Sequence, residues 1–85
     1  MPIDNFKQTV KTYILDEFLP GESPEALTDT TELITQGILD SLATLKLVSF
    51  IEEQYHIALA PHETDTDHLN TLNDIAELIN SKMSA

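Results

Sequence analysis

The sequence predicts an all-α domain, a small bundle of three main helices and one short helix with a long loop between the first two. Three segments carry apolar residues at three- and four-residue spacing, the period of a helix that buries one face. No segment alternates apolar and polar residues as a half-buried strand does. With 85 residues and 41% apolar content, residues 1–85 are predicted to form a single small domain.

The first helix is predicted over residues 4–19. Asp4 is a favourable N-cap residue, and Pro20 with Gly21 ends the helix. The predicted buried stripe consists of Phe6, Val10, Tyr13, Ile14 and Phe18.

Residues 22–40 are predicted to form a long loop without any basic residue. Ser23, Pro24 and Glu25 favour one helical turn, because serine caps well and proline suits the first helical position. Four isolated apolar residues are expected to hold this loop on the core: Leu27, Leu33, Ile38 and Leu39. A loop this long in a compact domain is usually functional.

The second helix is predicted over residues 41–55, with Asp40 as its N-cap. No proline or glycine interrupts it. Its predicted apolar stripe consists of Leu45, Val48, Ile51 and Tyr55, widened by Leu47 and Phe50.

The last part of the chain predicts a short helical turn at residues 65–69 and a final helix after Thr71. The segment Thr71-Leu72-Asn73-Asp74 has the form of a capping box. The predicted buried stripe of the final helix is Leu72, Ile75, Leu78, Ile79 and Met83.

The charge of the chain excludes several partners. Its formal net charge is −11, from fifteen acidic residues against four lysines. Nucleic acid and anionic membranes both require a basic patch, so neither is an expected partner. The same charge favours a monomer. Because the sequence has no cysteine, no signal-like start and no apolar run of about 18 residues, we expect a cytoplasmic protein without a transmembrane helix.

The most informative stretch is Gly37-Ile38-Leu39-Asp40-Ser41-Leu42, which ends the loop and opens the second helix. Gly37 permits a sharp turn, and Ser41 falls at the first helical position. A phosphodiester on the Ser41 hydroxyl would lie in a favourable field, because free N–H groups and the helix dipole attract phosphate. Asp40 opposes this in part through like charge, and Leu42 offers an apolar contact to a ligand.

This stretch resembles the attachment site of acyl and peptidyl carrier proteins, whose signature is a glycine followed shortly by Asp-Ser-Leu. The resemblance covers nearly the whole chain. A first helix ends near residue 19, and a long acidic loop follows. Asp40-Ser41-Leu42 opens the second helix, a minor helix falls near residues 64–69, and a last helix follows Thr71.

The resemblance implies a carrier rather than an enzyme. Ser41, flanked by Gly37, Asp40 and Leu42, would receive 4′-phosphopantetheine from coenzyme A. The reaction would be catalysed by a separate Mg²⁺-dependent phosphopantetheinyl transferase. The thiol of the arm would carry an acyl or aminoacyl group as a thioester. Expected partners are a loading enzyme and synthase or transferase enzymes with basic docking patches.

The expected docking residues are Leu42, Lys46, Ser49, Glu52 and Glu53. Lys46 departs from the family pattern, which usually has an acidic residue there, and Ser49 stands where an apolar residue is common. With these departures the chain looks more like freestanding carriers of polyketide, nonribosomal-peptide or aminoacyl-loading pathways. A carrier of fatty-acid synthesis is the alternative.

Two readings from other classes compete with the carrier. An acidic protein-interaction module without a prosthetic group is supported by the net charge alone. A small hydrolase would use Ser41 as nucleophile, but the histidines that could serve as its base have no evident orienting partner in the sequence.

No metal site is expected. The three histidines, His56, His62 and His68, lie six residues apart and match no helical metal pair. The segment Asp65-Thr66-Asp67 lacks the glycine and the glutamate that complete a calcium loop.

Overall fold

The computed structural model describes the backbone of residues 3–84 and the side chains of residues 5–83. It contains α1 (Ile3–Phe18), α2 (Ser41–Tyr55), the short α3 (Thr66–Leu69) and α4 (Leu72–Ser84), with single 3₁₀ turns at Pro24–Ala26 and Pro61–Glu63. No strand occurs in this described part of the chain. The predicted all-α class, with one short helix and a long loop before α2, is confirmed.

Helix α1 begins and ends one residue earlier than predicted. Phe6, Val10 and Ile14 form its buried face at four-residue spacing, while Tyr13 and Phe18 are only half-buried. Gly21 follows the helix with a φ of +89°, a conformation that glycine adopts without the steric cost other residues meet. Asp4 lies inside the helix, which begins at Ile3, so the predicted N-cap at Asp4 is wrong.

Helix α2 has the predicted bounds, but its buried face was placed wrongly in one respect. Ala43, Leu47 and Ile51 are buried, whereas Leu45 is 65% exposed. Leu45 and Leu47 both fit a three- and four-residue pattern, so the sequence alone could not show which of them is buried. The helix ends at Tyr55, and the C-cap residue His56 has a left-handed conformation (φ 56°).

Helix α4 supplies much of the core, and α1 packs mainly against it. Its buried residues are Leu72, Ile75, Ala76, Leu78 and Ile79. Met83, predicted in this stripe, is 42% exposed because it lies in the last turn, at the edge of the bundle. The Thr71 hydroxyl accepts the N–H of Asp74 at 3.0 Å, which is one half of the predicted capping box.

The loop between α1 and α2 is held on the core by apolar side chains, as predicted. Leu27, Leu33 and Leu39 are buried, and Ile38 is half-buried. The predicted helical turn is present at Pro24–Ala26. No helix among residues 3–84 is long and apolar enough to cross a membrane.

Candidate functional site at the start of helix α2

Ser41 is the first residue of α2, and the residues before it shape the helix start. Gly37 has a φ of +82°, a left-handed conformation that favours glycine and turns the chain. Asp40 has an extended conformation, and its carboxylate oxygen Oδ1 accepts the N–H of Ala43 at 2.8 Å. Asp40 is therefore the N-cap that the sequence predicted.

The Ser41 side chain is exposed, as is its neighbour Leu42. The Asp40 carbonyl accepts both the backbone N–H and the hydroxyl of Thr44, each at 2.8 Å, which fixes the first turn. At a helix start, the first N–H groups have no intrahelical acceptor. Such groups attract a phosphate at this position.

An open groove of about 700 Å³ runs beside Ser41, between α2 and the segment that leads into α3. Its lining combines apolar side chains with hydroxyl and carboxylate groups. The lining residues are Ile34, Leu39, Asp40, Ser41, Thr44, Leu45, Val48, Thr64, Asp65 and Thr66. The groove can therefore hold a flexible chain that begins at Ser41 and has both apolar and polar parts.

A continuous exposed face of α2 extends from Ser41 toward the end of the helix. It consists of Leu42, Leu45, Lys46, Ser49 and Glu53. Leu45 and Lys46 each lie three or four positions from both Leu42 and Ser49, and Glu53 lies four positions beyond Ser49. The five residues therefore share one side of the helix. We call this set the α2 face.

Glu52 was expected to dock partners together with Glu53, but the structure places it elsewhere. Its carboxylate accepts the backbone N–H of Leu59 at 2.8 Å and is half-buried. Glu52 thereby holds the chain that follows α2, whereas Glu53 remains exposed. No local sequence pattern predicts the hydrogen bond of Glu52, because its partner Leu59 lies beyond the helix.

Aromatic side chains join α1 to the edge of the α2 face. The rings of Tyr13 and Phe50 stack with centroids 4.0 Å apart, and the Tyr13 hydroxyl donates to the Lys46 carbonyl at 3.3 Å. Burial raises the pKa of Tyr13, and the negative charges of Glu17 and Glu53 raise it further. Tyr13 is therefore a neutral hydrogen-bond donor that fixes the position of α2 relative to α1.

One polar pair was missed from the sequence. His68 Nδ1 lies 2.7 Å from Asp65 Oδ1, and the same carboxylate oxygen accepts the His68 backbone N–H at 3.2 Å. The hydrogen bond with Asp65 raises the pKa of His68 and lowers that of Asp65. The three-residue spacing at a helix start was the available signal.

This pair corrects the expectation that the histidines lack an orienting partner. His68 lines a different depression from Ser41, together with Glu63, Asp67 and Asp74. The pair therefore does not complete a nucleophilic site with Ser41. His56 and His62 are exposed. Among the residues whose side chains are described, no three His, Asp or Glu side chains lie close enough together to hold a metal ion.

A helical bundle with an exposed serine at a capped helix start, beside an open groove, has the architecture of a carrier protein. Residues 15–79 match the family described as the phosphopantetheine attachment site. The chain belongs to this family, whose members carry 4′-phosphopantetheine covalently on a serine. It is thus a carrier protein.

Similar proteins include D-alanyl carrier proteins of Lactococcus lactis, from subsp. cremoris strains MG1363 and SK11 and from subsp. lactis strain IL1403. Each is 37% identical to this chain over 51 residues, which is 60% of this chain and 65% of the relative. The matched region therefore spans slightly less than two thirds of each of these relatives.

The residues around Ser41 fit the prosthetic group of the family. The hydroxyl is exposed, and the helix start provides N–H groups for the phosphate. The adjacent groove has apolar and polar walls, as a pantetheine chain with methyl and amide groups requires.

Proposed function

We propose that this chain carries acyl or aminoacyl groups as thioesters on a 4′-phosphopantetheine arm attached to Ser41. The observation that carries the proposal is the placement of Ser41, exposed at the first position of a capped helix and at the edge of the groove. When bound, the arm supplies the thiol that forms the thioester.

The chain's own part in the attachment is to present a nucleophile. The Ser41 Oγ attacks the phosphorus of coenzyme A that bears the pantetheine. A new O–P bond forms, and the pyrophosphate P–O bond breaks to release adenosine 3′,5′-bisphosphate. The hydroxyl proton passes to a base of the phosphopantetheinyl transferase, which also supplies Mg²⁺. Asp40 contributes by capping the helix and fixing the position of Ser41.

Intact-protein mass spectrometry tests the attachment. The purified chain is incubated with a broad-specificity phosphopantetheinyl transferase, Mg²⁺ and coenzyme A. We expect wild type and Ser49→Ala, which removes another exposed α2 serine, to gain one phosphopantetheinyl group. Ser41→Ala should gain none while keeping its helical circular dichroism.

Two results of this experiment contradict the proposal. A folded wild-type chain that gains no mass would favour the acidic interaction module instead. A gain that persists in Ser41→Ala would move the attachment to another residue.

The class of cargo that we favour is aminoacyl. The L. lactis relatives are D-alanyl carriers, and the groove beside Ser41 contains the carboxylates of Asp40 and Asp65. An aminoacyl thioester carries an ammonium group, which these negative charges attract, whereas a fatty acyl chain gains nothing from them. Polyketide, nonribosomal-peptide and fatty-acid pathways are the competing assignments.

A loading competition tests the cargo. The arm-bearing chain is offered D-alanine with ATP and a D-alanine-activating ligase, or malonyl-coenzyme A with a malonyl transferase. We expect mass spectrometry to show an alanyl adduct that hydroxylamine releases, as a thioester requires. Loading by the malonyl transferase alone would assign the chain to polyketide or fatty-acid synthesis.

We also propose that partner enzymes dock on the α2 face, with Lys46 helping to select them. Leu42 and Leu45 are 63% and 65% exposed and can pack against a partner. Glu53 can meet a basic patch, whereas Lys46 would repel one and attract an acidic group. Long-range attraction of this kind gives fast, salt-sensitive association.

Charge reversal tests this docking. Lys46→Glu should change the rate of transfer from the loading enzyme without changing modification of Ser41. Lys11→Glu on α1 makes the same charge change away from the α2 face and should leave both rates unchanged. Equal transfer rates for wild type and Lys46→Glu would exclude Lys46 from partner selection.

A further inference from the structure

Asn70, at the junction of α3 and α4, holds the loop that leads to Ser41. Its side-chain oxygen accepts the backbone N–H groups of Ile34 at 3.0 Å and Thr35 at 3.1 Å. Its side-chain nitrogen donates to the Thr35 hydroxyl at 3.1 Å. The Asn70 carbonyl accepts the N–H of Leu33. Three successive N–H groups of the loop therefore donate hydrogen bonds to one residue.

We call these hydrogen bonds of Asn70 the clamp. Two backbone hydrogen bonds connect Asn70 to the start of α2. The Leu33 carbonyl, next to the N–H held by Asn70, accepts the N–H of Leu39 at 2.9 Å. Leu39 directly precedes the cap residue Asp40, and its side chain is buried. The position of Ser41 is therefore tied to Asn70 through two backbone hydrogen bonds.

The same clamp links two segments that line the groove. Ile34, whose N–H bonds to Asn70, lines the groove from the loop. Thr66 also lines the groove and begins α3, and Asn70 is the C-cap residue of that helix. The Asn70 side chain thus connects the loop to α3 beside Ser41.

We propose that Asn70 is a positioning residue for modification of Ser41, a role that rests on the proposed attachment of the arm there. Without the amide, the Ile34 and Thr35 N–H groups lose their acceptor, and the loop before α2 gains freedom. The Ser41 oxygen then reaches the attacking geometry less often. A misplacement of about 1 Å can slow a reaction about 100-fold.

The α2 face keeps its residues and its helix in such a variant, so binding to the transferase is expected to persist. The effect should therefore fall on kcat rather than on KM. General destabilisation gives a different result, because folded molecules of a merely less stable variant present Ser41 normally. This difference separates positioning from stability.

Three variants test the role in phosphopantetheinyl transfer. Asn70→Ala removes the three side-chain hydrogen bonds to Ile34 and Thr35 and keeps the backbone bond to Leu33. Asn70→Asp keeps the oxygen that accepts both N–H groups. Val10→Ala serves as the stability control, since Val10 is fully buried in α1 and takes no part in the Asn70 hydrogen bonds. We expect kcat to fall about tenfold or more in Asn70→Ala, with KM within about twofold. Asn70→Asp and Val10→Ala should retain kcat.

Amide hydrogen exchange of the unmodified chain gives a readout independent of the transferase. Asn70→Ala should speed exchange at Ile34, Thr35 and Leu39, relative to Val10→Ala at matched stability. An Asn70→Ala chain with wild-type kcat would overturn the positioning role alone, and so would an equal fall in Val10→Ala. A wild-type chain that is never modified would instead overturn the proposed function.

Discussion

Leu47 and Leu45 lie two positions apart on α2 and differ completely in burial. Leu47 is fully buried, while Leu45 is 65% exposed. Leu47→Ala removes core contacts and leaves a cavity, at an expected cost of about 2–5 kcal/mol in unfolding free energy. Leu45→Ala should change it by less than about 0.5 kcal/mol, because the lost atoms contact water.

A domain of this length has a total unfolding free energy of about 4–13 kcal/mol. The buried substitution therefore removes a large share of it. Urea unfolding followed by far-ultraviolet circular dichroism measures both variants against wild type, in one buffer at neutral pH. An equal loss in Leu45→Ala and Leu47→Ala would refute the assigned buried face of α2. Because Leu45 borders the groove and belongs to the α2 face, its alanine variant should slow loading while remaining stable.

Three further predictions concern the hydrogen bonds made by the side chains of Asp40, Glu52 and His68. Asp40→Ala should lower the unfolding free energy by about 1 kcal/mol through loss of the N-cap, whereas Asp40→Ser keeps a capping oxygen and most of the stability. Glu52→Ala should cost about 1–3 kcal/mol by leaving a half-buried loop amide unpaired, and Glu53→Ala almost nothing. The hydrogen bond that the His68 ring donates to Asp65 raises the pKa of His68, so the protonated ring stabilises the fold. This contribution is complete below the ordinary histidine pKa of about 6.5 and is lost as pH rises through the raised pKa. Wild type should therefore lose melting temperature across this range more steeply than His68→Gln.

Each of these expectations has a clear contrary result. Equal melting temperatures of Asp40→Ala and Asp40→Ser would mean that the Asp40 cap does not contribute to the stability of the fold. Equal costs at positions 52 and 53 would mean that the Glu52 hydrogen bond to the loop contributes nothing. Parallel melting curves of wild type and His68→Gln from mildly acidic to mildly alkaline pH would show that the His68–Asp65 pair does not stabilise the fold.

Local signals account for what the sequence predicted well. Helix α2 has its predicted bounds because Asp40 caps its start and no residue breaks it before Tyr55. The position of Ser41 at the start of the helix was predicted for the same reason, since the serine, the cap and Gly37 are neighbours in the chain. Both helix starts and sharp turns depend on residues within a few positions, which a sequence displays directly.

The sequence by itself determined the helices, the acidic character and the serine at the start of α2. Only the tertiary structure decided which of Leu45 and Leu47 is buried, because both fit the helical period and the packing of α1 and α4 selects between them. It also decided the role of Asn70, whose hydrogen-bond partners lie 35 and 36 residues away along the chain. A polar residue gives no sign of such distant partners until the chain has folded. The bonds that hold Ser41 beside its groove therefore become visible only in the folded structure.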